Sequence, residues 1–249
     1  MFAQFHDVLP GSSIQPVEEG GLRLLGHGLM EAERMRIKAF FRLSAGQTPA
    51  RDGEIPVLIY NPHPYEVETD IVCEFMLADQ YLGDQFVDIL VYDEAGRRLD
   101  SQVEKEYSNI PINWRKRVAF RGTLAPSGMT RFNLRSELLP QPPAQEIAAD
   151  ADCFCFSGRG YTARLNRKSG LLESYAVGGK EYLSAPSGEV LVIQDIEDSW
   201  GMYIQGFQNV TGSLRLATPE QTAEICALEV PALDAVHIIE NGPVRTIAE

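Results

Sequence analysis

Residues 67–77 read Val-Glu-Thr-Asp-Ile-Val-Cys-Glu-Phe-Met-Leu. Val67, Ile71, Cys73, Phe75 and Leu77 hold alternate positions against Glu66, Glu68, Asp70 and Glu74. A period of two with one acidic face describes a strand that has one side on a core and the other in water. Upstream, Val57-Leu58-Ile59-Tyr60 runs into the proline-rich turn Asn61-Pro62-His63-Pro64; downstream, 86–92, 118–124 and 130–134 read as further strands. Asp93-Glu94-Ala95-Gly96 and Ala125-Pro126-Ser127-Gly128 punctuate them as turns. Roughly 85 residues of short strands at this spacing predict an immunoglobulin-like β-sandwich.

The first fifty residues differ. Leu22, Leu25, Leu29, Met30, Met35, Ile37, Phe40 and Phe41 recur at near-helical intervals, predicting a helix over 12–45. Ser12 and Gln15 stand at capping-box spacing, and Pro16 falls within the first turn. Gly20, Gly21, Gly26 and Gly28 weaken the first half, so one long helix or two shorter ones fit. Pro140-Gln141-Pro142-Pro143 is a stiff linker that marks a boundary. Beyond it strand signals resume at 154–156, 161–165, 171–177 and 190–193, and 244–249 opens as another strand. The fold class expected is therefore mainly β with a short N-terminal helical segment.

The chain has 249 residues with 22 Lys+Arg against 35 Asp+Glu, a formal charge of −13 whose acidic excess lies after residue 50. That field repels phosphate backbones and anionic lipid, which argues against nucleic-acid or membrane-surface partners. No apolar run is long enough to cross a bilayer, and the N-terminal residues do not form a secretory signal. Four cysteines make no disulfide framework, so the chain reads as cytoplasmic. Cys153 and Cys155 share one face of a predicted strand and read as structural thiols rather than a zinc pair. His27, His63 and His237 have no partner group suggested by sequence, while His6-Asp7 precedes a helix-breaking Pro-Gly.

Gln4-Phe5-His6-Asp7-Val8-Leu9-Pro10-Gly11-Ser12-Ser13-Ile14 resembles the helical-domain motif of glycoside hydrolase family 38, the α-mannosidases. Three further blocks are similar to that family in the same order. They are Ile59-Tyr60-Asn61-Pro62, Ile193-Gln194-Asp195-Ile196-Glu197-Asp198-Ser199-Trp200-Gly201 and Glu240-Asn241-Gly242-Pro243-Val244-Arg245. The resemblance implies three parts: the end of a helical-bundle domain over 1–50, the sandwich over 51–140, and the start of a galactose-mutarotase-like β super-sandwich over 141–249. It implies a retaining α-mannosidase that hydrolyses terminal α-mannosides with a divalent ion, usually Zn²⁺. His6 matches a metal ligand, and Asp7 the carboxylate that hydrogen-bonds sugar hydroxyls.

The nucleophile, the acid/base and a metal-binding His-x-Asp pair belong to a barrel domain that precedes the histidine in that family. Here His6, His27, His63 and His237 are followed two places on by Val8, Leu29, Tyr65 and Ile239. The chain therefore reads as a middle section of such an enzyme, inactive and without tightly bound metal on its own. It is expected to self-associate or to pair with a separate catalytic domain. Asp195, Asp198 and Trp200 form either a carbohydrate contact or a structural corner, and the corner is the preferred reading. The alternative class is a non-catalytic β-sandwich module that binds carbohydrate or protein.

Overall fold

In this computed structural model, residues 2–107, 113–143, 147–196, 203, 206–227 and 235–249 are described. They fall into two compact units, Met1–Gln47 with Val190–Leu214 and Thr48–Glu189 with Arg215–Glu249. The fold is mainly β with one long N-terminal helix.

After a 3₁₀ turn at Phe2–Gln4, α1 (Gln15–Ser44) runs unbroken through its four glycines. Each glycine costs about 1 kcal/mol relative to alanine without forbidding helix. Gly21 is its one buried residue, and a Cβ there would stand 3.3 Å from Val8 Cγ1, so the bare backbone lets Val8 close on the helix. The apolar stripe lies open: Leu25, Leu29, Met35 and Phe41 are all more than half exposed.

The capping box expected at Ser12 and Gln15 does not form. The N-cap is Ile14, with no side-chain hydrogen bond to the helix start. Pro16 gives the reason: a helix capped at Ser12 would draw its first i→i−4 bond from residue 16, which has no N–H. Starting at Gln15 moves that bond to Glu18 N–H, which donates to Ile14 O at 3.2 Å. Gln15 instead reaches forward to Glu19 at 2.9 Å, and the Ser12 and Ser13 hydroxyls are buried without a partner.

The sandwich comprises β1 (Ile55–Asn61), β2 (Val67–Tyr81), β3 (Phe86–Tyr92), β4 (Arg98–Leu99), β5 (Ser101–Glu104), β6 (Asn113–Leu124) and β7 (Gly128–Leu139). One sheet has the order β1-β7-β3-β4 and the other β2-β6-β5, all antiparallel. The second order matches the B-E-D sheet of an immunoglobulin fold, and β4-β3-β7 matches its C′-C-F run. Between the sheets Ile89, Val91, Val118, Phe120, Phe132 and Leu134 are buried to 1% exposure or less. Phe120 and Phe132 meet edge to face at 4.9 Å. Gly122 makes room for that pair, since a Cβ would lie 2.7 Å from Phe132 Cζ. The β2 alternation holds residue by residue from Val67 to Leu77, with Ile71 facing Phe120 and Cys73 facing Val118 across the ladder.

The linker leads to an antiparallel meander: β8 (Ala148–Ala149), β9 (Cys153–Gly158), β10 (Tyr161–Asn166), β11 (Leu172–Val177) and β12 (Lys180–Glu181). Gly178 and Gly179 both take positive φ in the two-residue turn that joins β11 to β12. A separate hairpin pairs β13 (Val190–Ile193) with β14 (Val210–Leu214). Then α2 (Pro219–Cys226), which the sequence reading missed, is capped by Thr218 and Gln221 in a complete capping box. The chain finishes in a hairpin of β15 (Ile238–Asn241) and β16 (Thr246–Ala248). Residues 244–249 thus return along an existing strand.

Core packing and capping give contrasting expectations, checked by urea denaturation followed by circular dichroism. Phe132→Ala should cost about 3–5 kcal/mol by cavity formation. Ser12→Ala should cost no more than a few tenths, because no cap is lost. A loss near 1 kcal/mol at Ser12 would restore it as the cap.

Candidate functional site

The Gln4–Ile14 stretch folds as consecutive tight turns. Val8 and Leu9 N–H both donate to Phe5 O at 2.9 Å, and Gly11, at φ 75°, donates to Val8 O at 3.2 Å. This places His6 and Asp7 outward on the first unit, ahead of α1. The His6 ring rests on Phe5 with centroids 4.3 Å apart, and its Nε2 lies 3.3 Å from Asp7 Oδ2. Their side chains are 72% and 43% exposed, so both functional groups are free to meet a ligand.

The other histidines have local settings of their own. His27 is exposed on α1, and His237 exchanges two backbone hydrogen bonds with Glu249 beside the final hairpin. His63 stacks on Tyr65 at 5.1 Å in the turn after β1. Among the described residues no group of three His, Cys, Asp or Glu side chains could hold a metal ion. The paired thiols have local partners: buried Cys153 donates to Glu173 at 3.2 Å, and Cys155 accepts from Arg164 at 3.5 Å.

Two of the four sequence blocks singled out above have clear structural work. In the Asn61 corner, the buried amide donates to Tyr65 O at 2.9 Å and Ala125 O at 3.1 Å, while its oxygen accepts from His63 N–H at 3.0 Å. One side chain thus ties the end of β1 to the β6–β7 turn. In the last block, Arg245 grips Glu104 of β5 through two bonds of 2.7 and 2.6 Å. Gln102 Oε1 accepts the N–H groups of Val244 and Arg245, each at 3.0 Å. Burial pushes the Glu240 carboxyl above its ordinary range, although Lys105 N–H donates to it at 2.6 Å. The remaining block is seen only in part. Asp195 is exposed, with its carboxylate accepting Ile196 N–H at 2.8 Å, and Asp198 and Trp200 lie outside the described residues.

The sequence reading missed a cleft of about 1000 Å³ in the second unit. Its walls come from β2 and β6 (Asp70, Arg121), from β9 and β10 (Phe156, Tyr161) and from the final hairpin (Arg245). Those residues are scattered over nearly 180 positions, so no local spacing announces them; the Gly-Pro-Val-Arg run was the one usable signal.

Neither protein-family models nor curated proteins match the sequence. Among the described residues no helix is long and apolar enough to cross a membrane.

The thiols offer a direct check. Burial pushes Cys73 from 9.0 up to about 11, and burial likewise raises Cys153. A thiol raised on folding stabilises the fold at pH below its unfolded value, and that contribution is lost as pH climbs through the folded one. The window for Cys73 is therefore about pH 9 to 11. At pH 8, a chromogenic disulfide reagent should modify exposed Cys226 at once and leave Cys73 and Cys153 intact until urea is added. Immediate titration of all four would contradict this placement.

Proposed function

We propose that this chain is a section of a retaining α-mannosidase of the glycoside hydrolase family 38 type, acting on terminal α-D-mannosides in the cytoplasm. In this reading 1–50 ends a helical-bundle domain, 51–140 is the immunoglobulin-like sandwich, and 141–249 opens a galactose-mutarotase-like super-sandwich. The observation that carries it is the Gln4–Ile14 turn. It holds the His6 imidazole outward with the Asp7 carboxylate 3.3 Å away, an arrangement suited to one metal donor beside one sugar-hydroxyl acceptor.

Among the described residues, no group of three His, Cys, Asp or Glu side chains amounts to a metal centre. Zinc sites use about four donors, and His6 with Asp7 supplies two at most. The remaining ligands, the nucleophile and the acid/base are assigned to a barrel domain, where two carboxyl groups about 5–5.5 Å apart would perform the double displacement. Asp7 would accept hydroxyl protons from the sugar and orient it, and His6 would face the ion. The exposed stripe of α1 is the surface on which the helical bundle is completed, by that domain or by a second copy of the chain.

The test is hydrolysis of 4-nitrophenyl α-D-mannopyranoside. The 249-residue chain alone should release no nitrophenol, with or without added Zn²⁺. Joined to a barrel domain that carries two carboxylates and a His-x-Asp pair, it should turn over the α-anomer and leave the β-anomer. There His6→Ala should lower kcat/KM by about 100-fold or more, since even residues that only support metal ligands cost 10- to 100-fold. Turnover by the chain alone that vanishes in His6→Ala would refute the division of labour, and an inactive joined protein would refute the assignment.

A further inference from the structure

We infer that the cleft between the Asp70–Arg121 pair and Tyr161 is a binding site for a neutral oligosaccharide. It lies in the second unit, makes no use of His6 or Asp7 and needs no metal, so it stands apart from the mannosidase reading.

Charge selects the ligand class. Two of the three guanidinium groups on its walls are paired: Arg121 donates to Asp70 at 2.8 Å, and Arg245 is held by Glu104. Asp100 and Arg159, which also line the cleft, are of opposite sign. No net field draws in a phosphate, a carboxylate or an amine. What remains is a surface dense in donors and acceptors, with 45% and 33% of the Arg121 and Asp70 side chains open to solvent. Hydroxyl groups, each both donor and acceptor, match such paired charges without having to neutralise them.

The aromatic wall supplies the second requirement. Tyr161 is 40% exposed, and a Cβ at Gly158 would stand 2.1 Å from its ring, so the phenol lies over the glycine opposite it in the ladder. An aromatic ring laid over a cross-strand glycine is held in place by the sheet. The register Ala163↔Tyr175 sets Tyr161 and Tyr175 on the same face, with centroids 6.3 Å apart. Tyr182 continues the row 6.5 Å beyond and is 59% exposed. Three partly exposed phenols in successive contact, starting at the cleft, offer aromatic surface on which the C–H faces of pyranose rings can stack, with Lys180 Nζ over the Tyr182 ring at 5.2 Å.

Glu181 fixes the outer half of this row. Its carboxylate accepts the N–H groups of Tyr175 and Tyr182 at 2.9 and 3.0 Å. The Ser174 hydroxyl and these amides hold it down at about 2, so it is ionised throughout the working range.

The test is isothermal titration of the 249-residue chain with α-1,6-mannotriose and with maltotriose, using inositol hexakisphosphate as the anionic comparison, all with EDTA present. At least one trisaccharide should bind with Kd at or below about 1 mM. Tyr161→Ala should weaken that binding about 10-fold, and Tyr161→Phe should leave it within about 3-fold. Tyr182→Ala, at a position 59% exposed, should weaken the trisaccharide and leave methyl α-D-mannoside unchanged. His6→Ala should bind as the parent does, so loss of mannosidase activity and loss of this site are read separately. The proposal is overturned if neither trisaccharide binds, if the hexakisphosphate binds more tightly, or if both tyrosine truncations leave trisaccharide affinity intact. A tyrosine-dependent dimer that binds no sugar would overturn it too, by making the row a contact between copies.

Discussion

The second unit depends on one buried ion pair. Glu104 sits on β5 with its side chain 1% exposed, a position where an unpaired carboxylate would cost several kcal/mol. Arg245 satisfies it with two parallel bonds, Gln102 Nε2 adds a third at 3.1 Å, and Arg117 stands 3.5 Å away. Since Arg245 lies 141 residues later in the chain, the final hairpin must dock on the sandwich for the core to tolerate Glu104. The neighbouring contacts follow from this docking. Gln102 reads the hairpin backbone, and Gly242 leaves no room for a side chain, its Cβ position falling 2.3 Å from Gln102 Oε1. The same docking brings Arg245 to the cleft and so builds one of its walls.

What the sequence revealed follows from how strongly water sorts the residues. In β2 burial alternates at every residue from Val67 to Leu77, with Thr69 the polar exception on the inner face and Val72 and Met76 the apolar ones outside, and in β3 Val87, Ile89 and Val91 are buried to 2% or less. β3 was legible to the residue, and β2 from its start at Val67, although it runs four residues past Leu77 to Tyr81. The N-terminal half of β6 was not legible, because Trp114-Arg115-Lys116-Arg117 carries no alternation of apolar and polar residues. Its backbone is held by pairing with the far end of β2, where Lys116 faces Phe75. Lys116 itself is 4% exposed, 5.1 Å from the Phe86 ring, with its pKa lowered by burial. The Ser12 capping signal failed for a reason visible in the sequence, the missing N–H of Pro16, whose position relative to the cap decides which residue can start the helix. β4 and β5 are too short and too polar to carry a period.

The candidate sites divide along the same line. His6-Asp7 was found because it is contiguous, and the turn that presents it is local, built on Phe5, Val8 and Gly11. The tyrosine row was not found, because Tyr161, Tyr175 and Tyr182 come together only through the register of three strands. On the functional reading proposed above, the chain carries two kinds of contact with sugar. One is a metal-assisted contact that needs another domain, and the other is a stacking surface assembled within the second unit. Of the motif residues, Gly242 and Arg245 line the cleft itself, while Asn61 ties the end of β1 to the β6–β7 turn.

The central claim is that Glu104 and Arg245 act as one unit that latches the hairpin to the sandwich. A double-mutant cycle with Glu104→Gln and Arg245→Met, read by urea unfolding, tests it most directly. Glu104→Gln removes the paired bonds to a partly exposed Arg245, and Arg245→Met leaves buried Glu104 with only Gln102 and Arg117. Each single change should therefore cost about 1.5–3 kcal/mol. The double variant should recover at least about 2 kcal/mol of the summed loss, a coupling typical of residues in one network. Losses that add to within about 0.5 kcal/mol would show independent residues and contradict the latch.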